Sequence, residues 1–274
     1  MLNRFNRDYE LNILFPNGDL VTILPEINID FESEKSVQGG LNVSKLQIYN
    51  LEENKRNRLI KDREDVKSKI LIELKAGYSK LETIFKGDLL EGNSTRTGAD
   101  IVTTLEIQDG LFDLQNSFTS KTVRGDITNQ ILDDMPNTTR GKITNLLTLL
   151  RPRVLVGNSL KLIEENLSQD ETYYIENGSL NIIKSDEITS DYSPVVSAET
   201  GLLDTPKKSM NEITFKTLLN PQLRIGGLCE LISTLDKRLN GLYKIVTIKT
   251  SGSYQGSNWE QEVTCLFQSE YKVL

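Results

Sequence analysis

Apolar and polar residues alternate with a period of two along most of the chain, the repeat of a strand with one buried face. Leu11 to Phe15 and Leu20 to Leu24 flank the turn cluster Pro16-Asn17-Gly18-Asp19, which predicts an opening β-hairpin. Ile27, Ile29 and Phe31 alternate with Asn28, Asp30 and Glu32, and Gly39-Gly40 leads into a further strand ending at Leu46, Ile48 and Tyr49. The β pattern then breaks. From Asn50 onward the run LEENKRNRLIKDRED is charged around Leu51, Leu59 and Ile60, which predicts a short surface helix. Strands resume at Ile70 to Leu74 and Thr83 to Leu89. The polar segment EGNSTRTGA at 91–99 reads as the loop of a hairpin whose second strand sets Ile101, Thr103, Leu105 and Ile107 on one face. Residues 1–115 are expected to form a first β-domain.

The period changes in NSFTSKTVRGDITNQILDDMP, where Ile127, Ile131, Leu132 and Met135 fall at helical spacing behind a cap at Asp126, with Pro136 beyond the end. A second helix is expected from Asn158 or Ser159, burying Leu160, Ile163 and Leu167. Asn177-Gly178 between alternating segments then marks a tight hairpin. Residues 116–189 therefore read as an α+β insert. Strands return with Ile213, Phe215 and Thr217, with Leu228 to Ser233, and with Leu242 to Ile248 after the Asn240-Gly241 turn. A polar loop, SGSYQGSN at 251–258, precedes a closing strand carrying Val263, Cys265 and Phe267 on one side. Residues 190–274 are a second β-domain on this reading. The two β-domains share an order of strand, polar loop and strand (84–89, 91–99, 101–108 against 243–248, 251–258, 259–267), which predicts duplicated β-barrels.

Composition narrows the chemistry. The 274 residues carry 32 Lys+Arg against 39 Asp+Glu, a formal net charge of -7, with 37% hydrophobic residues, an acidic but ordinary globular balance. Alanine occurs only at 76, 99 and 198, which favours sheets over a helical bundle. There is no histidine, and the cysteines are Cys229 and Cys265, so Ser-His-Asp and Cys-His devices and the usual zinc sites are excluded. The two thiols read as small buried hydrophobes. No run approaches the roughly 18 apolar residues of a membrane-spanning segment, and Arg4, Arg7, Asp8 and Glu10 interrupt any signal-peptide core, so the chain is expected to stay in the cytosol where it is made. The Arg and Lys residues after Asn50 interleave with Glu52, Glu53, Asp62, Glu64 and Asp65, a solvated face rather than a specific nucleic-acid site. The 91–99 segment lacks the GxxxxGK[ST] spacing of a phosphate loop, and Asp126 of Arg124-Gly125-Asp126 has a capping role in place of an adhesive one. Paired carboxylates are the catalytic device left open, as in glycoside hydrolysis. Asp133-Asp134, Glu164-Glu165 and Glu260/Glu262 are the closest sets, without an aromatic-rich cleft around them. A carbohydrate- or receptor-binding β-module is a further alternative, with Tyr173, Tyr174, Tyr254 and Trp259 as its loop-adjacent aromatics. No catalytic, cofactor-binding or metal-binding residue is assigned, and no cofactor is implied.

Several motifs in order resemble a known family. Ile48-Tyr49-Asn50-Leu51, Ala76-Gly77-Tyr78, Ile84-Phe85-Lys86-Gly87-Asp88, Thr95-Arg96 with Asp100, and Asp109-Gly110 are similar to the N-terminal half of the small baseplate hub proteins of tailed bacteriophages. The likeness continues through Gly157-Asn158-Ser159, Glu176 to Leu180, Glu199 to Pro206, Leu218 to Pro221, Ile225-Gly226-Gly227 and Asn240 to Ile245. It implies two tube-like β-barrel domains and a structural role without enzymatic activity. It also implies a homotrimeric ring at the tail tip, with the tail spike protein beneath and tail tube or distal tail protein and tape measure protein above. The implied location is the virion tail baseplate, after assembly in the host cytoplasm. Some larger hubs are fused to cell-wall hydrolases, and this chain has no spare length for one.

Overall fold

The computed structural model describes residues 6–38, 40–78, 80–144, 148–190, 192–267 and 272–273, so Arg4 and Gly39 of the sequence reading lie outside the described residues. The first third supplies β1 (Arg7–Leu14), β2 (Leu20–Ile23), β3 (Ile29–Ser36), β4 (Gly40–Leu41), β5 (Val43–Tyr49), α1 (Glu53–Asn57), β6 (Leu71–Tyr78), β7 (Lys80–Thr97) and β8 (Asp100–Gln108). The middle supplies α2 (Leu111–Asn116), β9 (Phe118–Asp126), α3 (Ile127–Leu132), β10 (Thr139–Ile143), β11 (Thr148–Asn158), α4 (Ser159–Glu165), β12 (Glu171–Glu176), β13 (Ser179–Lys184) and β14 (Glu187–Ile188). The last third supplies β15 (Val195–Ser197), β16 (Lys207–Ser209), β17 (Glu212–Leu218), β18 (Leu228–Ile232), β19 (Gly241–Ser253), β20 (Trp259–Leu266) and β21 (Lys272–Val273). The protein is mainly β with an α+β segment between its β-rich ends. Among the described residues no helix is long and apolar enough to cross a membrane.

Alternation decides which face of each strand is buried. Ile29, Phe31, Ser33 and Lys35 of β3 point inward while Glu32 and Glu34 are exposed, and Trp259, Gln261, Val263 and Cys265 of β20 do the same. Local turn chemistry fixes several registers. Gly18 takes a φ of 87° in the β1–β2 hairpin, and Asn177 and Gly178 take φ of 53° and 80° between β12 and β13, the left-handed pair of a type I′ turn. Asp126 caps α3 by accepting from the Asn129 N–H, and Asn158 caps α4 by accepting from the Lys161 N–H.

Both ends of the chain contribute to one 13-stranded sheet, in the order β16-β17-β20-β19-β3-β5-β8-β7-β6-β1-β2, with β18 on β19 and β15 on β18. Within it the strands of the first third run β1-β6-β7-β8-β5-β3, and those of the last third run β15-β18-β19-β20-β17-β16. Ranked by position in the chain, each reads first, fourth, fifth, sixth, third, second. One pairing differs in direction: β1 is antiparallel to β6 and β15 parallel to β18. The ladder does not close among the described residues, since β2 and β16 end it, so no closed barrel is seen within one chain. Between the two ends lie the sheet β10-β13-β12-β4, the ribbon β9·β11 and the helices α2 to α4. Three apolar clusters fill the interior, centred on Leu11, Leu46 and Leu105, on Phe215, Ile245 and Cys265, and on Ile131, Ile163 and Ile182.

Two expectations need correction. The polar segment 91–99 is strand as far as Thr97, because β8 pairs with it from Leu89 to Thr97, and only Gly98-Ala99 turns. In the same way β19 continues to Ser253, leaving 254–258 as the loop. The segment before α3 is the strand β9, held by β11 through pairs such as Val123·Arg153 and Lys121·Leu155.

Candidate assembly site

The two long hairpins, β7–β8 and β19–β20, match in register. In the first, Asp88 lies opposite Gln108 and Leu89 opposite Ile107, then Leu90 bulges and Glu91 meets Glu106. In the second, Lys244 lies opposite Leu266 and Ile245 opposite Cys265, then Val246 bulges and Thr247 meets Thr264. Neighbouring strands keep the same frame. Val43 of β5 faces Gln108 as Glu212 of β17 faces Leu266, and Leu71 of β6 faces Asp88 as Leu228 of β18 faces Lys244. The Leu89 N–H donates to Ile70 O at 2.8 Å, and the Ile245 N–H donates to Gly227 O at 2.9 Å. A bulge at one and the same place in two hairpins is a positional feature of both units rather than a local irregularity.

The seam between the units is β3·β19, where Thr247 to Ser253 pair with Ser36 to Asp30. Its exposed face carries Glu32, Glu34, Lys45, Lys216, Lys249, Glu260 and Glu262 around a shallow depression of about 400 Å³. Lys249 to Glu34 at 3.5 Å and Lys216 to Glu260 at 3.8 Å are exposed pairs that select register more than they stabilise. Beneath the seam, Trp259 meets Phe31 edge-on at 5.3 Å. Gly252 fits between them, since a Cβ there would come within 2.4 Å of Phe31 and 3.0 Å of Trp259.

Buried polar groups moor the middle segment. Asp109, at the end of β8, accepts from the Gly178 N–H at 2.9 Å, and burial pushes its carboxyl up to about 7. Lys35 reaches Glu176 at 3.2 Å, and Asn42 donates to Ile175 O while accepting from the Ser36 N–H. Asp113 accepts from the Asn137 backbone at 2.9 Å and from the Asn137 and Thr138 side chains at 2.7 Å each. The matched positions Asp88 and Lys244 are both buried charges turned toward this segment. Asp88 accepts from the Phe112 N–H, and Lys244 donates to Lys184 O and Ser185 O at 3.0 Å each. Burial raises the Asp88 carboxyl and lowers Lys244 to about 8. On its outer side the β9·β11 ribbon exposes Phe118, Leu150, Val154 and Val156.

The carboxylate sets do not converge on an enclosed cleft. Asp134 is held by Lys121 at 2.8 Å, Glu164 and Glu165 are exposed on α4, and Glu260 and Glu262 lie on the open face of the seam. Three of the four candidate aromatics are interior: Tyr173, Tyr174 and Trp259 are 8%, 1% and 1% exposed, and the fourth, Tyr254, packs edge-on against Tyr9 at 5.2 Å. None of the three stands in a loop, since Tyr173 and Tyr174 lie within β12 and β20 begins at Trp259 itself. Cys229 and Cys265 are both buried, with sulfurs 3.7 Å apart, and burial raises the Cys265 thiol.

The fold has known counterparts. It is similar to the 43 kDa tail protein of prophage MuSo2 from Shewanella oneidensis (10% identity, 94% of this chain and 96% of that one, TM-score 0.64). It is also similar to a tail protein from Neisseria meningitidis MC58 (8% identity, 96% and 98%, TM-score 0.62). A third likeness is to the E. coli c3393 protein, a type VI secretion component described as structurally similar to the T4 tail proteins gp27 and gp5 (9% identity, 89% and 74%, TM-score 0.60). At these identities the likeness is one of fold. No curated protein matches the sequence. Residues 11–265 match the family described as Baseplate hub gp41, and the chain belongs to that family. It is a structural protein of the phage tail baseplate.

Proposed function

We propose that three copies of this chain form a ring at the tip of the tail tube, each copy contributing two similar β units to a pseudo-sixfold collar. The observation that carries the reading is the repeated strand order with its bulge at one matched register position, within a chain of the baseplate hub family. A threefold ring with two matched units per copy can meet a sixfold tube without a symmetry mismatch, which gives the duplication a mechanical purpose. On this reading residues 1–115 and 190–274 are the two tube-like domains, and residues 116–189 are an insert outside the ring wall. The spike protein sits below, and tube or distal tail proteins and the tape measure protein sit above. The ring is assembled in the host cytoplasm and then retained in the virion.

The role needs no catalysis and no base-specific contact with nucleic acid. Muropeptide release by the purified chain, abolished by one Asp or Glu to amide change, would contradict the first point. Light scattering tests the ring itself: a mass of three chains is expected, and a strict monomer or dimer within assembled tails rejects it.

A further inference from the structure

The junction that joins the two units inside one chain has an unused counterpart. Inside the chain Glu34, Ser33 and Glu32 of β3 lie opposite Lys249, Thr250 and Ser251 of β19. The shared strand order maps β3 onto β16 and β19 onto β7. The registers extend that mapping to residues. Glu34 faces Val43 as Ser209 faces Glu212, so Ser33 corresponds to Lys208 and Glu32 to Lys207. The aligned bulges match Lys249, Thr250 and Ser251 with Asn93, Ser94 and Thr95.

Both counterpart edges are open among the described residues. From Asn93 to Thr97, β7 pairs with β8 on one side and has no backbone pairing on the other, where the last contacts are those of Leu89 with Ile70 and of Gly92 with Lys61. Gly92 exchanges both of its backbone bonds with Lys61, at 3.0 and 2.9 Å, so strand alternation turns the N–H and C=O of Ser94 and Arg96 to that same outer side. β16 is exposed throughout and pairs only with β17. Ser209 and Glu212 close its two-residue turn, which directs the backbone groups of Lys208 away from β17.

We infer that in the ring β16 of one copy adds to the outer edge of β7 of the next, with Lys208 opposite Ser94, Lys207 opposite Thr95 and Ser209 opposite Asn93. The number of copies rests on the ring reading above; the pairing repeats the seam already present within the chain. Lys208 and Ser94 exchange two backbone bonds, and Pro206, which has no N–H, accepts from Arg96 through its carbonyl. The charges differ between the two junctions. The inner one sets Glu32 and Glu34 of β3 beside Lys249, whereas the outer one sets Lys207, Lys208 and Ser209 opposite the uncharged Thr95, Ser94 and Asn93. Lysines of β16 placed against Lys249 would repel, which keeps β16 from displacing β3. The contact is head-to-tail, so the ladder left open in one chain continues through its neighbours until the ring closes.

The test is a pair of cysteines, Asn93→Cys with Ser209→Cys, in the full chain. These positions form a pair without backbone bonds, for which Cα atoms lie about 4.5 Å apart, within disulfide reach. Mass is read first by light scattering, then mild oxidation and a non-reducing gel report bonds between chains. Bands at two and three chain masses are expected, absent from each single variant and from Asn93→Cys with Lys207→Cys, which is displaced by roughly 7 Å along the strand. A trimer that forms no bond between residues 93 and 209 overturns the edge assignment and leaves the ring standing. A chain that is monomeric within assembled tails and forms no bond there removes both.

Discussion

Trp259→Ala tests whether the two β units are locked by a shared interior. Trp259 belongs to the last third of the chain, yet its side chain packs in the cluster built from the first third, with Tyr9, Phe31 and Leu46. It is 1% exposed, meets Phe31 edge-on, and lies under the Arg7 guanidinium at 5.7 Å. Truncating a buried tryptophan costs about 3–5 kcal/mol, within which the lost aromatic pair accounts for about 0.5–1.5 kcal/mol. For a chain of this size that corresponds to a fall in melting temperature of roughly 6–10 °C. Trp259→Phe should cost less, about 1–2 kcal/mol, because the indole N–H has no partner among the described residues and only ring volume is lost. Urea unfolding followed by far-ultraviolet circular dichroism is the suitable assay, since the variants lack the only tryptophan. A Trp259→Ala cost below about 1 kcal/mol would refute the shared interior. Loss of glycan binding at unchanged stability would instead revive a surface role for this residue.

Asp113→Ala should destabilise the docking of α2 on the segment 137–138 by about 3–4 kcal/mol, because three donors lose a charged acceptor; faster amide exchange confined to residues 111–138 is the accompanying signature, and unchanged exchange would count against it. Asp109 holds its proton more tightly when folded, with a value of about 7 against 3.8 unfolded, so its contribution is fully present below about pH 4 and is lost as pH rises through 7. Asp109→Asn should therefore flatten the fall of melting temperature between pH 5 and 8, and an unchanged slope would show that the carboxyl titrates elsewhere. Lys244, lowered to about 8 from 10.5, acts in the opposite sense: its burial cost is present below about pH 8 and disappears as pH rises towards 10.5. Lys244→Met should remove the corresponding gain in stability across that range, read from urea midpoints at pH 7.5 and 10.

Features set by neighbouring residues were legible in the sequence. The opening hairpin, the Asn177-Gly178 turn, the caps Asp126 and Asn158 and the alternation of β3 and β20 each depend on a few adjacent side chains. What escaped reading depends on distant partners. Glu91 to Thr97 have the composition of a loop and become strand only because β8 pairs with every one of them. The seam joins residues more than 200 positions apart, as in Asp30 opposite Ser253, and no local pattern announces it. The repeated order of strand, polar segment and strand was visible, whereas the matched bulges at Leu90 and Val246 required the registers. The mooring carboxylates Asp109 and Asp113 look like turn and helix-start residues until Gly178 and Asn137 are seen against them.

Electron cryomicroscopy of the ring, alone or within assembled tails, tests the central claim most directly. Three chains are expected whose six β units repeat at about 60° around one axis, with the middle segments on the outside. A threefold particle in which only one unit of each chain lines the ring, or units that do not superpose by that rotation, would contradict it.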